Sequence, residues 1–349
     1  MVLAPYTTFG IGGPARYFCE VESVNDLKNA LKFSKENHLC FFILGGGSNI
    51  LISDKGFGGL VIKMGIKGLE FTDKNDYSIL SAGAGENWDK VVATAVEMSL
   101  GGIENLSWIP GTAGAAVYQN IGAYGVELKD VLESAEVLDS ESGEIKTFSN
   151  NNCKFEYRDS VFKYKESSNL VILRANLRLS TNNKPKLIYP DLVRIFEGKK
   201  PSVSAVRQAV IETRKRKLPY PTEIPGWAKA SPQEPSPRNE IGNAGSFFKN
   251  PIVTAKHFEK IALNHPDLKG FKLADGSVKL FVAQMIEKDG WKGKRFGKVG
   301  VSEKHSLVLV NYGKGTAEDM VNLAEKIKLS VKDKFGVELE PEVEMIGRA

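Results

Sequence analysis

Apolar positions along this chain repeat with two different periods, and the switches between them outline its elements. From Leu170 to Leu179, Val171, Leu173, Ala175, Leu177 and Leu179 alternate against Ile172, Arg174, Asn176 and Arg178, the period of a half-buried strand. Residues 131–148 read as a hairpin, with Val137 and Leu138 in one arm, a turn at 139–143 and Ile145 in the other. Apolar runs at 39–44 and 307–312 predict two more strands. Helical spacing appears behind a Ser23 cap at Val24, Leu27 and Leu31, and over 87–100 at Val91, Val92, Ala95, Val96 and Met98. Behind Ser202 or Ser204 it recurs at Val203, Val206, Val210 and Thr213, until Pro219 stops the helix. A further helix is predicted from Ser277 through Val278, Phe281, Val282 and Met285. The last carries Met320, Ala324, Ile327, Val331 and Phe335 between a Thr316/Asp319 capping box and Gly336. Short strands, antiparallel pairing and scattered helices give an α+β class rather than a regular βαβ succession.

The stretches that break both periods are rich in glycine. Residues 108–125 hold glycines and alanines with almost no bulky side chain, which reads as bare backbone approaching a large flat or anionic ligand rather than as packed core. Gly111, Gly114, Gly122 and Gly125 permit the positive φ that turns successive N–H groups towards phosphate oxygens. Leu44-Gly-Gly-Gly-Ser-Asn-Ile-Leu51 and Ser81-Ala-Gly-Ala-Gly-Glu86 share that character, and the three together make a phosphate-bearing ligand more credible than any one. A GxGxxA match at 10–15 is rejected as a dinucleotide fingerprint, because no strand precedes Gly10 and Pro14 opposes a helix starting at Gly13. Between 220 and 240, Pro221, Pro225, Pro232, Pro235 and Pro237 break any regular element, so this segment is read as an exposed insertion between domains.

Composition narrows the functional classes. A length of 349 residues allows two or three domains, no apolar run approaches a membrane span, and the chain opens without a basic-then-apolar leader. The expectation is a cytoplasmic protein with no membrane partner. Cys19, Cys40 and Cys153 are odd in number and lack CxxC spacing, and His38, His257, His265 and His305 lack zinc spacing, so neither a disulfide framework nor a metal site is expected. A net charge of +5 leans towards anionic ligands but is too small to argue for nucleic acid. The run Thr213-Arg-Lys-Arg-Lys-Leu-Pro219 suits a helix C-terminus.

Two places could carry chemistry. Period-two spacing sets Val337 and Leu339 on one face and Glu338, Glu340 and Glu342 on the other; these are surface carboxylates, or one of them is a buried acid of raised pKa. In Gly242-Asn-Ala-Gly-Ser-Phe-Phe-Lys-Asn-Pro251, small residues set Ser246 at a turn, yet this is no GxSxG elbow and no histidine stands near for a hydrolase triad.

Taken in order, Thr8-Phe-Gly-Ile11, the 44–51 segment, Ile109-Pro-Gly111 with Gln119-Asn-Ile-Gly-Ala-Tyr-Gly125, Tyr157-Arg-Asp-Ser160, Lys217-Leu-Pro219, the 242–251 segment and Leu339-Glu-Pro-Glu-Val343 resemble the UDP-N-acetylenolpyruvoylglucosamine reductase (MurB) family, in its long type I form. The resemblance runs from Thr8 to Gly347 and implies an FAD-binding fold of the vanillyl-alcohol-oxidase (PCMH-like) type in two subdomains, plus a separate α+β substrate-binding domain. The corresponding boundaries are 1–65 and 66–218 for the FAD subdomains, 219–240 for the Pro-rich insertion, 241–336 for the substrate domain and 337–349 for a strand returning to the site.

The implied activity is NADPH-dependent reduction of UDP-N-acetylglucosamine enolpyruvate to UDP-N-acetylmuramate, in peptidoglycan precursor synthesis. The implied catalytic set is Arg158 on the substrate carboxylate, Glu342 as a neutral acid and Ser246 as proton donor. FAD would be held by Gly45, Gly46, Gly47, Ser48, Asn49, Ile109, Pro110, Gly111, Gly114, Asn120, Gly122, Ala123 and Tyr124. The UDP group would meet Tyr124, Tyr189, Lys217 and Asn250. No metal is implied, a monovalent cation stands as a candidate activator, and a monomer is expected. The chain departs from the family pattern in the length of 221–240 and in His305, which stands where some members carry a glutamine. The alternatives are another FAD oxidase or dehydrogenase of the same fold, or a non-catalytic nucleotide-binding module.

Overall fold

The computed structural model describes residues 1–182, 184–219 and 241–347; the expected insertion at 220–240 lies outside them. Two large cores organise what is described. The first begins with a three-stranded parallel sheet in which Phe57–Met64 lies between Ala15–Val21 and Phe41–Leu44. The helix Val24–Glu36 connects two of these strands, and Ser23 and Asp26 cap it reciprocally as a capping box. This parallel piece is a finding that the alternation pattern did not predict.

Against it stands a five-stranded antiparallel sheet, ordered Ile145–Ser149, Leu132–Asp139, Leu170–Ser180, Tyr77–Gly83, Leu69–Asp73. The predicted hairpin and the long alternating strand are its first three members. Strand Leu170–Ser180 buries Val171, Leu173, Ala175, Leu177 and Leu179 beneath helix Trp88–Glu97 and a short helix Ala113–Gln119, with Trp88 and Val117 among the same core residues.

That short helix corrects the reading of 108–125 as bare backbone rather than packed core. Ala113, Gly114, Ala116, Val117 and Gln119 are buried, so the sparse side chains serve packing as well as exposure of backbone. Of the four glycines expected to take positive φ, Gly111 and Gly125 do so and Gly114 and Gly122 do not. What Gly114 needs is space, because a Cβ there would lie 2.8 Å from the Cβ of Ala84. The 81–86 segment is likewise internal: Ala84 and Gly85 donate to Leu173 and Ile66, and a Cβ on Gly85 would stand 2.7 Å from the Gly65 carbonyl carbon.

The second core, within 241–347, packs helices Ala255–Asn264, Val282–Lys288 and Ala317–Phe335 against two small antiparallel sheets. The terminal helix has the predicted Thr316/Asp319 box and ends with Gly336 in the left-handed region. The helix predicted from Ser277 starts only at Val282, because Val278–Leu280 is the central strand between Ile252–Val253 and Gly270–Lys272. Its apolar spacing fits either period over so few residues, and pairing on both edges decides for the strand.

The N-terminal segment joins the two cores. Phe9 and Ile11 are buried in the second core, Thr8 Oγ1 donates to Asn243 O at 2.6 Å, and Asn311 Nδ2 donates to Phe9 O at 2.9 Å. The rejected GxGxxA match therefore leads into a strand, Ala15–Val21, not a helix. At the other end of the described residues, Glu344–Ile346 pairs in parallel with Ile50–Ile52, which brings this strand beside the glycine turn. Asp54, just after that strand, accepts from the N–H groups of Ala317 at 2.9 Å and Glu318 at 3.1 Å, satisfying two orphan donors of the terminal helix. Asp54→Ala is expected to remove about 1–2 kcal/mol of stability, since Thr316 caps only part of the same turn. Chemical denaturation at unchanged m-value checks this, and a loss below about 0.5 kcal/mol would mean that this link between the units is not stabilising.

Candidate active site

Strand Phe41–Leu44 ends in the turn 45–49, whose backbone is fixed from three sides. Lys63 Nζ donates to Gly45 O at 2.7 Å, and burial lowers the pKa of this lysine. Ser48 Oγ donates to Pro110 O at 3.0 Å, and a Cβ on Gly46 would lie 2.6 Å from the Cα of Gly111. Gly47 takes φ +61° and presses so closely on the N-terminal segment that a Cβ would stand 1.9 Å from Tyr6 O. Only glycine permits that approach.

The other side of the turn lines a cavity of ≈ 460 Å³, with Thr112, Gly114, Ala115, Tyr118 and Gln119 across from it and Lys163 at its edge. Among the described residues, the backbone N–H groups of Gly46, Gly47 and Ser48 have no protein acceptor. Clustered orphan donors with a lysine nearby are the donor set a diphosphate requires, so the residues present fit a dinucleotide cofactor.

The expected cofactor residues divide by position. Gly45, Gly46, Gly47, Ser48, Asn49 and Gly114 line the cavity, although the Gly114 N–H is used by Ala84 O at 2.9 Å and is not free for phosphate. Pro110 and Gly111, next to Ile109, brace the turn from behind. Asn120 is fully buried, and its side chain is engaged by Glu156 O and the Lys129 N–H, so it holds protein rather than facing a ligand. Gly122, Ala123 and Tyr124 lie in and beside a small hairpin next to Arg158.

Arg158 sits in a tight turn at φ +57°, where Glu156 and Asp159 bond to each other in both directions and Lys163 Nζ donates to Arg158 O at 2.8 Å. Its Nη2 donates to Gly122 O at 2.6 Å, and a Cβ on Gly122 would stand 2.7 Å from Nη1, so a larger residue would displace the guanidinium. Its Nε meets Glu342 Oε1 at 2.9 Å, with the two side chains 18% and 14% exposed. Burial opposes the charge on Arg158, but Glu342, Tyr157 and Glu127 outweigh it and hold the group above its ordinary pKa.

Glu342 is fixed at further points: its N–H donates to Phe247 O at 2.8 Å, its carbonyl accepts from Asn49 Nδ2 at 3.1 Å, and its Oε1 accepts from Gln119 Nε2 at 3.4 Å. Ser246 immediately precedes Phe247, beside Val308 in an isolated bridge. Arg158, Glu342 and the backbone that carries Ser246 are thus joined through one residue. The predicted alternation around Glu342 holds in burial, since Val337 and Leu339 are buried while Glu338 and Glu340 are exposed, but only 344–346 is laddered strand. Glu342 departs from its exposed neighbours because Arg158 and Gln119 draw it inward.

The rings of Tyr124 and Tyr189 meet edge-on at 5.0 Å. Lys217 pairs with Asp191, and it contributes, after burial, to a lowered pKa of His305. Asn250 Oδ1 accepts from the Val282 N–H at 3.1 Å, capping that helix. Arg214, in the basic run, donates to Trp108 O at 3.0 Å, so the run is at least partly engaged in holding the 108–111 turn.

Several residues here went unassigned in the sequence reading. Lys279 Nζ lies 3.3 Å from the Tyr157 ring centroid, its pKa lowered to about 8 by burial and then by Arg158; its strand had been read as helix, so nothing in the pattern pointed to it. Gln119 lies inside a quoted motif without a role, and Lys163 follows the Tyr-Arg-Asp-Ser motif by three residues. Tyr118 donates to Glu344 Oε1 at 3.1 Å, its pKa raised by burial and then by that carboxylate. Among the described residues, no group of His, Cys, Asp and Glu could hold a metal ion, and no helix is long and apolar enough to cross a membrane.

Known proteins resemble this chain along its length. The family model for the C-terminal domain of UDP-N-acetylenolpyruvoylglucosamine reductase matches residues 236–346, and one for an FAD-binding domain matches residues 15–149. The UDP-N-acetylenolpyruvoylglucosamine reductase of Pseudomonas savastanoi pv. phaseolicola is 42% identical over 344 residues, covering 97% of this chain and 96% of that protein. That of Amoebophilus asiaticus is 42% identical over 348 residues, covering 99% and 97%. The crystal structure of the Thermus caldophilus reductase shares the fold at a TM-score of 0.65 and 24% identity, covering 99% of this chain and 98% of the other. On the full-length identity to these relatives, the chain belongs to the UDP-N-acetylenolpyruvoylglucosamine reductase (MurB) family of oxidoreductases, with an FAD-binding domain.

Proposed function

We propose that this chain is an NADPH-dependent flavoenzyme that reduces UDP-N-acetylglucosamine enolpyruvate to UDP-N-acetylmuramate, acting as a cytoplasmic monomer. The observation that carries the reading is the Arg158–Glu342 contact at 2.9 Å, tied through Phe247 to Ser246 and through Asn49 to the cavity-lining turn. The division of the chain at 65, 218, 240 and 336 is part of the proposal; the separate second core supports a unit that follows the insertion, with Phe9, Ile11 and Leu51 crossing into it from one side and Val337, Leu339 and Val343 from the other.

The residues lining the 45–49 turn would hold FAD, which would supply hydride drawn from NADPH. Adding hydride to the vinyl carbon distal to the carboxylate leaves negative charge on the adjacent carbon and the carboxylate oxygens. Arg158 is suited to that charge, because a guanidinium fork binds two oxygens and Gly122 fixes its direction. At present Glu342 occupies this guanidinium. A substrate carboxylate on Arg158 would stand beside Glu342, the residue proposed to assist as the acid. Ser246 gives the proton to the carbon, and the second reduced C–H bond completes the saturated ether. Tyr124, Tyr189, Lys217 and Asn250 are the residues proposed for the UDP group, and a monovalent cation can be tested as an activator in the same assay.

Anaerobic stopped-flow at the flavin band tests the scheme in two halves. Ser246→Ala should leave bleaching by NADPH close to wild type while slowing reoxidation by the enol ether by about 10²–10⁴-fold. Equal loss in both halves would refute a proton-donor role. Glu342→Gln is expected to slow reoxidation by at least about 10²-fold. Unchanged turnover in that variant would remove Glu342 from the mechanism.

A further inference from the structure

Asn105 is completely buried on the 3-10 turn Glu104–Leu106, and that turn is fixed from below. Trp88 Nε1 donates to Leu106 O at 2.9 Å, Ser107 Oγ donates to Glu104 O at 2.6 Å, and the Glu104 carboxylate accepts from the Gly102 N–H at 2.6 Å. From this rigid base the Asn105 amide nitrogen reaches two carbonyls far apart in sequence. It donates to Tyr124 O at 2.8 Å and to Lys186 O at 3.0 Å. The first acceptor is a non-glycine residue at φ +48°; the second opens the segment that carries Ile188 and Tyr189, both exposed. The Asn105 Oδ1 is the one described side-chain atom that is buried without a partner. An amide retained there, with half of its hydrogen-bonding capacity unmet, is kept for what its nitrogen does.

We propose that Asn105 is a positioning residue for substrate binding. By holding the Tyr124 and Lys186 carbonyls on one amide, it keeps Tyr124 and Tyr189 in their edge-on contact and so pre-forms the mouth of the site. This rests on the reading above that these tyrosines meet the UDP group. The strap also meets the 124–125 turn through apolar packing: Leu187 and Tyr124 lie against the same buried cluster of Leu192, Val206 and Val210, and Ile188 lies over Gly125, where a Cβ would come within 2.5 Å of Ile188 Cγ1. The Lys186–Asp130 ion pair is half in solvent, so the Asn105 amide adds a buried polar tie to these contacts. The unpartnered Oδ1 also favours release, since water entering a lifted strap would satisfy it. The latch is strong enough to bias the closed mouth and weak enough to open for exchange of ligands.

The test uses the FAD-loaded full chain. Asn105→Leu removes both donors and the unmet acceptor while keeping the branch at Cγ, and Asn105→Asp keeps the shape but sets a carboxylate against two carbonyls. If the latch holds the binding-competent mouth, a fall in its population to about a tenth raises KM for the enol ether about tenfold, with kcat changed less. Hydrogen exchange over 186–196 and 122–126 should quicken together, with FAD content unchanged. A variant that keeps wild-type KM and wild-type exchange in both segments overturns the proposal, as does uniform acceleration across the whole chain. Should neither variant load FAD, Gly125→Ala, whose methyl would push Ile188 away, must raise KM and strap exchange in the same way or the proposal fails. Coupled exchange at 186–196 without any change in KM would leave the strap real but separate it from substrate binding, and would overturn the positioning role. Failure of wild-type flavin to be reoxidised by the enol ether would count against the function instead, because the exchange measurement does not depend on it.

Discussion

Glu342 is the junction on which the arrangement of the site depends. Its side chain meets Arg158 and Gln119, its N–H meets Phe247 and its carbonyl meets Asn49, so one residue touches the arginine turn, the short alanine-rich helix, the Ser246 segment and the cavity-lining turn. Those four pieces come from both halves of the chain. An isolated ion pair on a surface would contribute little, but a pair whose partners are both mostly buried and otherwise bonded has its geometry set by the whole surroundings. The parallel pairing of Glu344–Ile346 with Ile50–Ile52 is what delivers Glu342 there, and it leaves the residue no freedom to leave along the chain.

Glycine serves two purposes in this region. On one face of the 45–49 turn its absence of a side chain lets backbone press on backbone, at Tyr6 and at Gly111. On the other face the same bareness leaves N–H groups without partners along a cavity wall. These requirements reinforce each other, because a turn rigidly fixed from behind keeps its donors aimed and loses little entropy when a ligand arrives. The reading of these stretches as ligand backbone alone was therefore incomplete: Gly85 and Gly114 are glycines for reasons of internal packing, and the 113–119 helix needs small residues to lie close beneath the long strand.

Much of the fold was legible where the physical signal is local. The cap at Ser23, the capping box at Thr316, the alternation at 170–179 and the terminal glycine at Gly336 are each decided within a few residues, and the structure has all of them. What was hidden depends on partners distant in sequence. Val278–Leu280 is strand only because two other strands flank it, and Lys279 then projects towards Tyr157 from a position that looked helical. Asn105 is similar: nothing in Glu104-Asn-Leu106 announces that its amide will bridge residues 124 and 186. The grouping of Arg158, Ser246 and Glu342 came from family resemblance, not from spacing, since no periodicity relates residues so far apart.

The charges around Arg158 indicate why such a site should wait for an anion. Lys279 and Arg158 both lean on Tyr157, and the arginine contributes, after burial, to holding the lysine near a pKa of about 8. Lys163 supports the Arg158 carbonyl from the cavity side, its own pKa lowered by burial. Against these cations stand Glu342 and, farther out, Glu127 and Glu344, each already engaged with a protein donor. Desolvated cations that repel one another are relieved by an incoming carboxylate or diphosphate more than solvated ones would be, because the local dielectric is low. The two half-buried lysines, whose charge burial opposes, are the ones that an incoming anion relieves, whereas the Arg158 charge is already met by Glu342.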